Sequence, residues 1–239
     1  SLVSRIHNDI LDTYQDDFSK YKKRVSPVLL RQVLRSVALQ AGSKFVYTIA
    51  SKDVRSALVK DALHLLTLAG LIVPVKHTSA NGLPLGAEEN DNYVKYLFFD
   101  LGVMQTMLGN PPSDTLLASE VDFVNKGAAS EMFAGLELLK YHDCFQKAEI
   151  HYWQNTAKNA LSEVDYLIAK NGKVLPIEVK ASTQGSMQSL WVFMRKHQIH
   201  DGVRTSLENF GQLYYYDSAA DQAERFVRIN PLYALSNLK

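Results

Sequence analysis

The chain has 239 residues, 26 of them Lys or Arg and 25 Asp or Glu, for a formal net charge of +1. That balance lacks the basic excess of a dedicated nucleic-acid binder, and 46% hydrophobic with 21% charged residues excludes a disordered or fibrous chain. One cysteine, Cys144, forbids an internal disulfide, no apolar run approaches the roughly 20 residues that span a bilayer, and SLVSRIHNDILDTYQDDF has no secretory-signal pattern; the expectation is a cytoplasmic protein without a membrane role.

In chain order, an amphipathic segment at 4–21 is followed by PVLLRQVLRSVALQAG, where Pro27 suits a first helical turn and Gly42 a stop. KFVY leads into a helix over 53–69, on which Val54, Leu58, Ala62, Leu65, Leu66 and Ala69 form the expected core face. Lys52, Arg55 and Lys60 fall off that face and read as solvated charge. Two strands follow, LIVPV and YVKYLFF, joined by a polar loop, in the order of a winged helix. PPSD at 111–114 separates this helical, winged-helix-like region, residues 1–112, from a second region, residues 113–239. There the pattern predicts a helix over 120–141, a strand at 149–153, a hairpin, a helix at 187–197, a GVRTSL strand and a closing RFVRINPLYALSNL. Strands mixed with helices in this way predict an α/β (α+β mixed sheet) fold.

The hairpin SEVDYLIAKNGKVLPIEVKAS, 162–182, carries the chemistry. Asn171-Gly172 predicts a two-residue turn that sets the register: Lys170 opposite Lys173, Leu167 opposite Pro176, Asp165 opposite Glu178 and Glu163 opposite Lys180. Parity then places Val164, Tyr166 and Ile168 with Leu175, Ile177 and Val179 on one apolar face, and the charges on the other. Pro176 cannot donate to a ladder, which points to an edge, a bulge or a strand start. Two opposed carboxylates repel, so a cation is expected between Asp165 and Glu178, and hard oxygen ligands suit Mg²⁺ or Mn²⁺. Lys180, on the same face, is placed to orient a water or to stabilise charge on a phosphate. A plain surface hairpin, with a Glu163–Lys180 ion pair and both carboxylates in water, fits the same pattern.

EVDYLI followed by PIEVKAS resembles the D…ExK core of the PD-(D/E)xK nuclease-like superfamily, and GAASEMFAGLELL resembles its preceding helix, which carries a glutamate, here Glu131. With YLFFDLGV, nearly the whole chain resembles the C-terminal domain of unknown function of prokaryotic AAA-type ATPases. The resemblance implies a restriction-endonuclease-like core and a Mg²⁺-dependent DNA phosphodiesterase. Asp165 and Glu178 would hold the metal, Lys180 would assist the attacking water and Glu131 would complete the site. Glu163 is then a supporting residue or an ion-pair partner of Lys180, and Gln154 a substrate contact. No GxxxxGK[ST] occurs, so ATP would enter only through an ATPase module upstream of this fragment, and that module and DNA are the expected partners. The alternative is a non-catalytic module that binds nucleic acid or protein, the ATPase or a second copy included. No HExxH, GxSxG or GxGxxG offers a competing chemistry, and Cys144 reads as an inert thiol.

Overall fold

The computed structural model describes residues 1–110, 126–142, 145, 148–157, 162–182, 185–216 and 222–238. Cys144, the PPSD stretch and residues 120–125 of the expected helix lie outside them. The described residues hold seven α-helices and eight strands, a mixed α+β fold. They group into two compact units that do not follow chain order: 1–74 with 95–132, and 75–94 with 133–239.

In the first unit, α1 (Leu2–Asp17) precedes α2 (Pro27–Leu39), which starts as its sequence dictates. Ser26 caps it by accepting from Leu29 N–H, and Pro27 occupies the first turn, where its missing donor costs nothing. Leu30, Val33, Leu34 and Val37 form its buried face. After the single turn α3 (Tyr47–Ala50), α4 (Ser56–Leu68) buries Val59, Ala62, Leu63, Leu65 and Leu66. The expected stripe is therefore rotated: Val59 and Leu63 face inward and Leu58 is 42% exposed, and α4 begins three residues later than its pattern suggests. The helix ends in a Schellman motif, with Leu71 N–H donating to Leu66 and Gly70 N–H to Thr67 while Gly70 takes φ +72°. Asp100 caps α5 (Leu101–Met107) by accepting from Val103 N–H. Gly102 is needed at that point, since a Cβ there would sit 2.9 Å from the His7 ring, whose Nδ1 meets Thr106.

A mixed sheet, most of it in the second unit, has the order β2-β1-β3-β4-β5-β6-β8-β7. Its strands are β1 (Ile72–Thr78), β2 (Glu89–Phe98), β3 (His151–Gln154), β4 (Glu163–Lys170), β5 (Lys173–Val179), β6 (Asp201–Ser206), β7 (Gly211–Tyr216) and β8 (Glu224–Pro231). A wing would be a hairpin closed on itself, whereas β1 runs on as the parallel neighbour of β3, with Lys76 beside His151. The β7 strand pairs with β8 at the sheet's end and leaves Tyr214 and Tyr216 exposed. Helix α7 (Gln188–Lys196) covers one sheet face: Leu190, Phe193 and Met194 pack with Trp153, Val164, Leu167 and Val227. At about 1.5–3 kcal/mol for each large side chain buried, these anchors are the main hold on that face. The remaining helix, α6 (Lys126–Tyr141), buries Met132, Ala134 and Leu138.

The β4–β5 hairpin has the expected register from Lys170↔Lys173 through Leu167↔Pro176 to Tyr166↔Ile177. Asn171 and Gly172 both take positive φ, +50° and +73°, as a type I′ turn requires. Pro176 is accommodated without a bulge in β5. The turn makes Ile168/Leu175 and Tyr166/Ile177 the hydrogen-bonding pairs, so Pro176 owes β4 no donor, and pairing with β6 starts only at Ile177. The irregularity lies instead between β3 and β4: His151 opposes Leu167 while Trp153 opposes Val164, so β4 carries one extra residue. This bulge turns Val164 to the α7 face with Leu167, against the parity expectation that grouped it with Tyr166 and Ile168.

A Cβ at Gly172 would meet no neighbour within 4 Å, so its requirement is purely conformational. Gly172→Ala is expected to lower unfolding stability by about 1 kcal/mol, and Asn171→Gly to leave it nearly unchanged, as measured by urea titration.

Candidate functional site

Three charged residues of the hairpin meet where the β4–β5 ladder ends. Regular pairing stops at Tyr166↔Ile177, one step before Asp165 and Glu178. The Val179 N–H, which a continuing ladder would give to Val164, is taken by Asp165 Oδ2 at 2.7 Å. The bulge thus converts a backbone pair into a charge-assisted bond that fixes the Asp165 carboxylate beside Glu178. Glu163 adds a third carboxylate, with an oxygen within 4.8 Å of one on Asp165.

Glu178 is only 4% exposed, because β5 lies between β4 and β6 and both sheet faces are filled around it. Its Oε1 accepts from Lys180 Nζ at 2.5 Å; its Oε2 is buried with no hydrogen-bond partner among the described residues. Burial first, and then repulsion from Asp165, push the Glu178 carboxyl up to about 7, against the opposing pull of Lys180. Lys180 pairs with Glu178, since strand residues two apart share a face and the buried carboxylate has more to gain. Its backbone N–H donates to Thr205, which ties the end of β5 to β6.

Gln154 ends β3 opposite Glu163, so it too reaches this end of the sheet. Its carbonyl accepts from His77 Nε2, and its side-chain oxygen is buried and unbonded among the described residues. Sequence reasoning missed Arg204, which registers beside Glu178 on β6, is 7% exposed and pairs with Glu208 at 3.2 Å. Only the parallel β5–β6 pairing reveals it, and nothing in TSL or GVR signals that register. Glu131 lies on α6 in the first unit, where its carboxylate binds Lys95 Nζ at 2.8 Å, and that lysine side chain is 4% exposed. A buried lysine requires an anion, which gives Glu131 a structural task independent of catalysis. Lys95 was invisible because YVKYLFF alternates as though Lys95 faced water.

Asp165 and Glu178 offer hard oxygen donors, and the orphaned Glu178 Oε2 is the kind of group a divalent cation satisfies; the residues fit Mg²⁺ or Mn²⁺. Residues 1–114 match the family model of a domain of unknown function, DUF8612, and residues 126–217 that of a second domain of unknown function, DUF4143. DUF4143 is commonly associated with AAA-type ATPases. No curated protein matches the chain.

The raised carboxyl makes stability depend on pH with a definite sign. Between the ordinary value of 4.5 and about 7 the folded chain holds a proton that the unfolded chain has lost, so stability falls as pH rises through this window and is level above it. Without divalent metal, Glu178→Gln is expected to raise the melting temperature by several degrees at about pH 8, the gain closing towards about pH 5, as followed by calorimetry. At the other residue, Glu131→Gln is expected to lower stability by about 1 kcal/mol or more by taking a carboxylate from a buried lysine, and Lys95→Met in the same chain to recover part of it, as read by denaturant titration.

Proposed function

We propose that the second unit is a metal-dependent phosphodiesterase acting on DNA, with a restriction-endonuclease-like core, in a chain that forms the C-terminal part of an AAA-type ATP-binding protein. The observation that carries the reading is Glu178: a carboxylate buried on a central strand, with one oxygen unpartnered, raised to about 7, and facing Asp165. Keeping such a group works against stability, which argues for a use. Asp165 and Glu178 would hold Mg²⁺ or Mn²⁺. When bound, the ion lowers the pKa of a water and polarises a phosphate. Asp165 is already oriented by the Val179 N–H, so little reorganisation is required of it. Glu178 would lose its proton on holding the ion, whose charge would replace that of Lys180 as its counter-charge, so the ammonium would be free to stabilise charge developing on a phosphate oxygen. Gln154 and Glu163, at the adjoining strand ends, are placed to contact the substrate or the metal's waters. ATP would belong to an ATPase module outside residues 1–239.

The test is cleavage of labelled linear, nicked and branched DNA in Mg²⁺, Mn²⁺ or EDTA. Cutting is expected only with metal, and Asp165→Ala and Lys180→Ala should each lower it by about a hundredfold or more. An equilibrium Mn²⁺ titration with no binding that depends on Asp165 and Glu178 would overturn the assignment and leave a binding module built on the same sheet.

A further inference from the structure

The sheet ends on β7, whose outer side no strand covers among the described residues. In an antiparallel pair, alternate residues turn both their N–H and their C=O to the same side, so about half of the backbone groups of Gly211–Tyr216 point away from β8. None of these meets a protein partner among the described residues.

The strand is GQLYYY and carries no charge. Edge strands are ordinarily guarded by charged side chains, a proline or a bulge. The opposite edge follows that rule, since β2 has Glu89, Asp91 and Lys95. On β7 none of these devices is present: the register with β8 runs unbroken from Gly211↔Ile229 to Tyr216↔Glu224. The nearest charges of that ladder, Glu224, Arg225 and Arg228, stand one strand further in. Three consecutive tyrosines put rings on both faces of the edge. Tyr214 and Tyr216 share one face and are 64% and 59% exposed, while Tyr215 takes the other, stacked on Trp191 of α7 at 4.8 Å. Tyr214 leans on Phe226, with ring centroids 5.2 Å apart, so the rings are braced by the unit and still largely open to solvent. Phe210, just before the strand, is 66% exposed and extends the apolar edge.

We infer that β7 is an interface between two copies of this chain, in which it pairs antiparallel with β7 of the second copy about a two-fold axis perpendicular to the sheet. Only a strand satisfies the outward N–H and C=O groups together, and the neutrality of this one favours its own copy. A two-fold axis sets each residue opposite its own counterpart or one an even number of positions away, so a charge on the strand would crowd its like. With no charge that penalty is absent. The same parity brings Gln212, Tyr214 and Tyr216 against the same three residues of the second copy, and Leu213 and Tyr215 against theirs, which makes aromatic cross-strand pairs on both faces. Each copy has one such edge, so association through it closes at two. The interface shares no residue with the proposed phosphodiesterase centre and does not rest on that reading.

The test is sedimentation velocity of the whole 239-residue chain in EDTA from about 1 to 100 µM. A reversible equilibrium between one and two copies is expected within that range. Tyr214→Lys and Tyr214→Glu should each weaken it about tenfold or more, with unchanged circular dichroism because the side chain is mostly exposed, while Tyr214→Phe associates as the parent does. An equimolar mixture of the Lys and Glu variants should regain the dimer, since parity now brings opposite charges together. A parent chain that stays monomeric at about 100 µM overturns the interface. So do charged variants that both associate like the parent, which would put the contact elsewhere, and a mixture no better associated than either variant alone.

Discussion

The structure of the second unit turns on the cost of keeping a carboxylate inside a sheet. Glu178 sits on β5, a strand with neighbours on both sides and side chains over both faces, and water cannot solvate it there. The unit answers with one ammonium two residues away and with a proton retained up to about neutral pH. Neither solves the problem fully, since Oε2 still has no partner among the described residues. A well-packed apolar residue at this position would be more stable, so the carboxylate is kept at a cost to the fold.

That constraint also accounts for the bulge in β4. A regular ladder would spend the Val179 N–H on a backbone carbonyl and leave Asp165 to approach Glu178 with both oxygens unrestrained. The extra residue between the β3 and β4 pairings ends the ladder early and lends that N–H to Asp165. A negative group held by a backbone donor tolerates a second carboxylate nearby better than a free one does. The local irregularity and the crowding of charge are thus one feature seen from backbone and side chain.

Much of this was legible in the sequence, and the limits are instructive. Asn171-Gly172 determines the register by turn chemistry alone, so counting outward holds for every pair as far as Tyr166↔Ile177. It fails at Val164 because the bulge is set by β3, a strand eight residues away whose pairing no local pattern encodes. Pro176 did signal an irregular neighbourhood; the irregularity it accommodates is the late start of β6 pairing. The α4 stripe slipped because a leucine-rich helix offers several near-equivalent apolar faces, and tertiary packing chose the one with Val59 and Leu63. Asp165, Glu178 and Lys180 come together because a short hairpin keeps them local, whereas Arg204 and Lys95 are placed by partners far along the chain.

Near-neutral composition is a weak guide to what such a protein can bind. A net charge of +1 argues against a uniformly basic surface, yet one hairpin here carries crowded carboxylates at one end and crowded cations at the other. Salt screens charges more than about a Debye length apart, so each end acts on its own surroundings. What decides recognition is the local field in a concave, poorly solvated place, where a few unbalanced charges count for more than the sum over the chain. On that ground the crowded carboxylates and the basic side chains at the two ends of the hairpin act as separate local fields, held apart by the length of the strands between them.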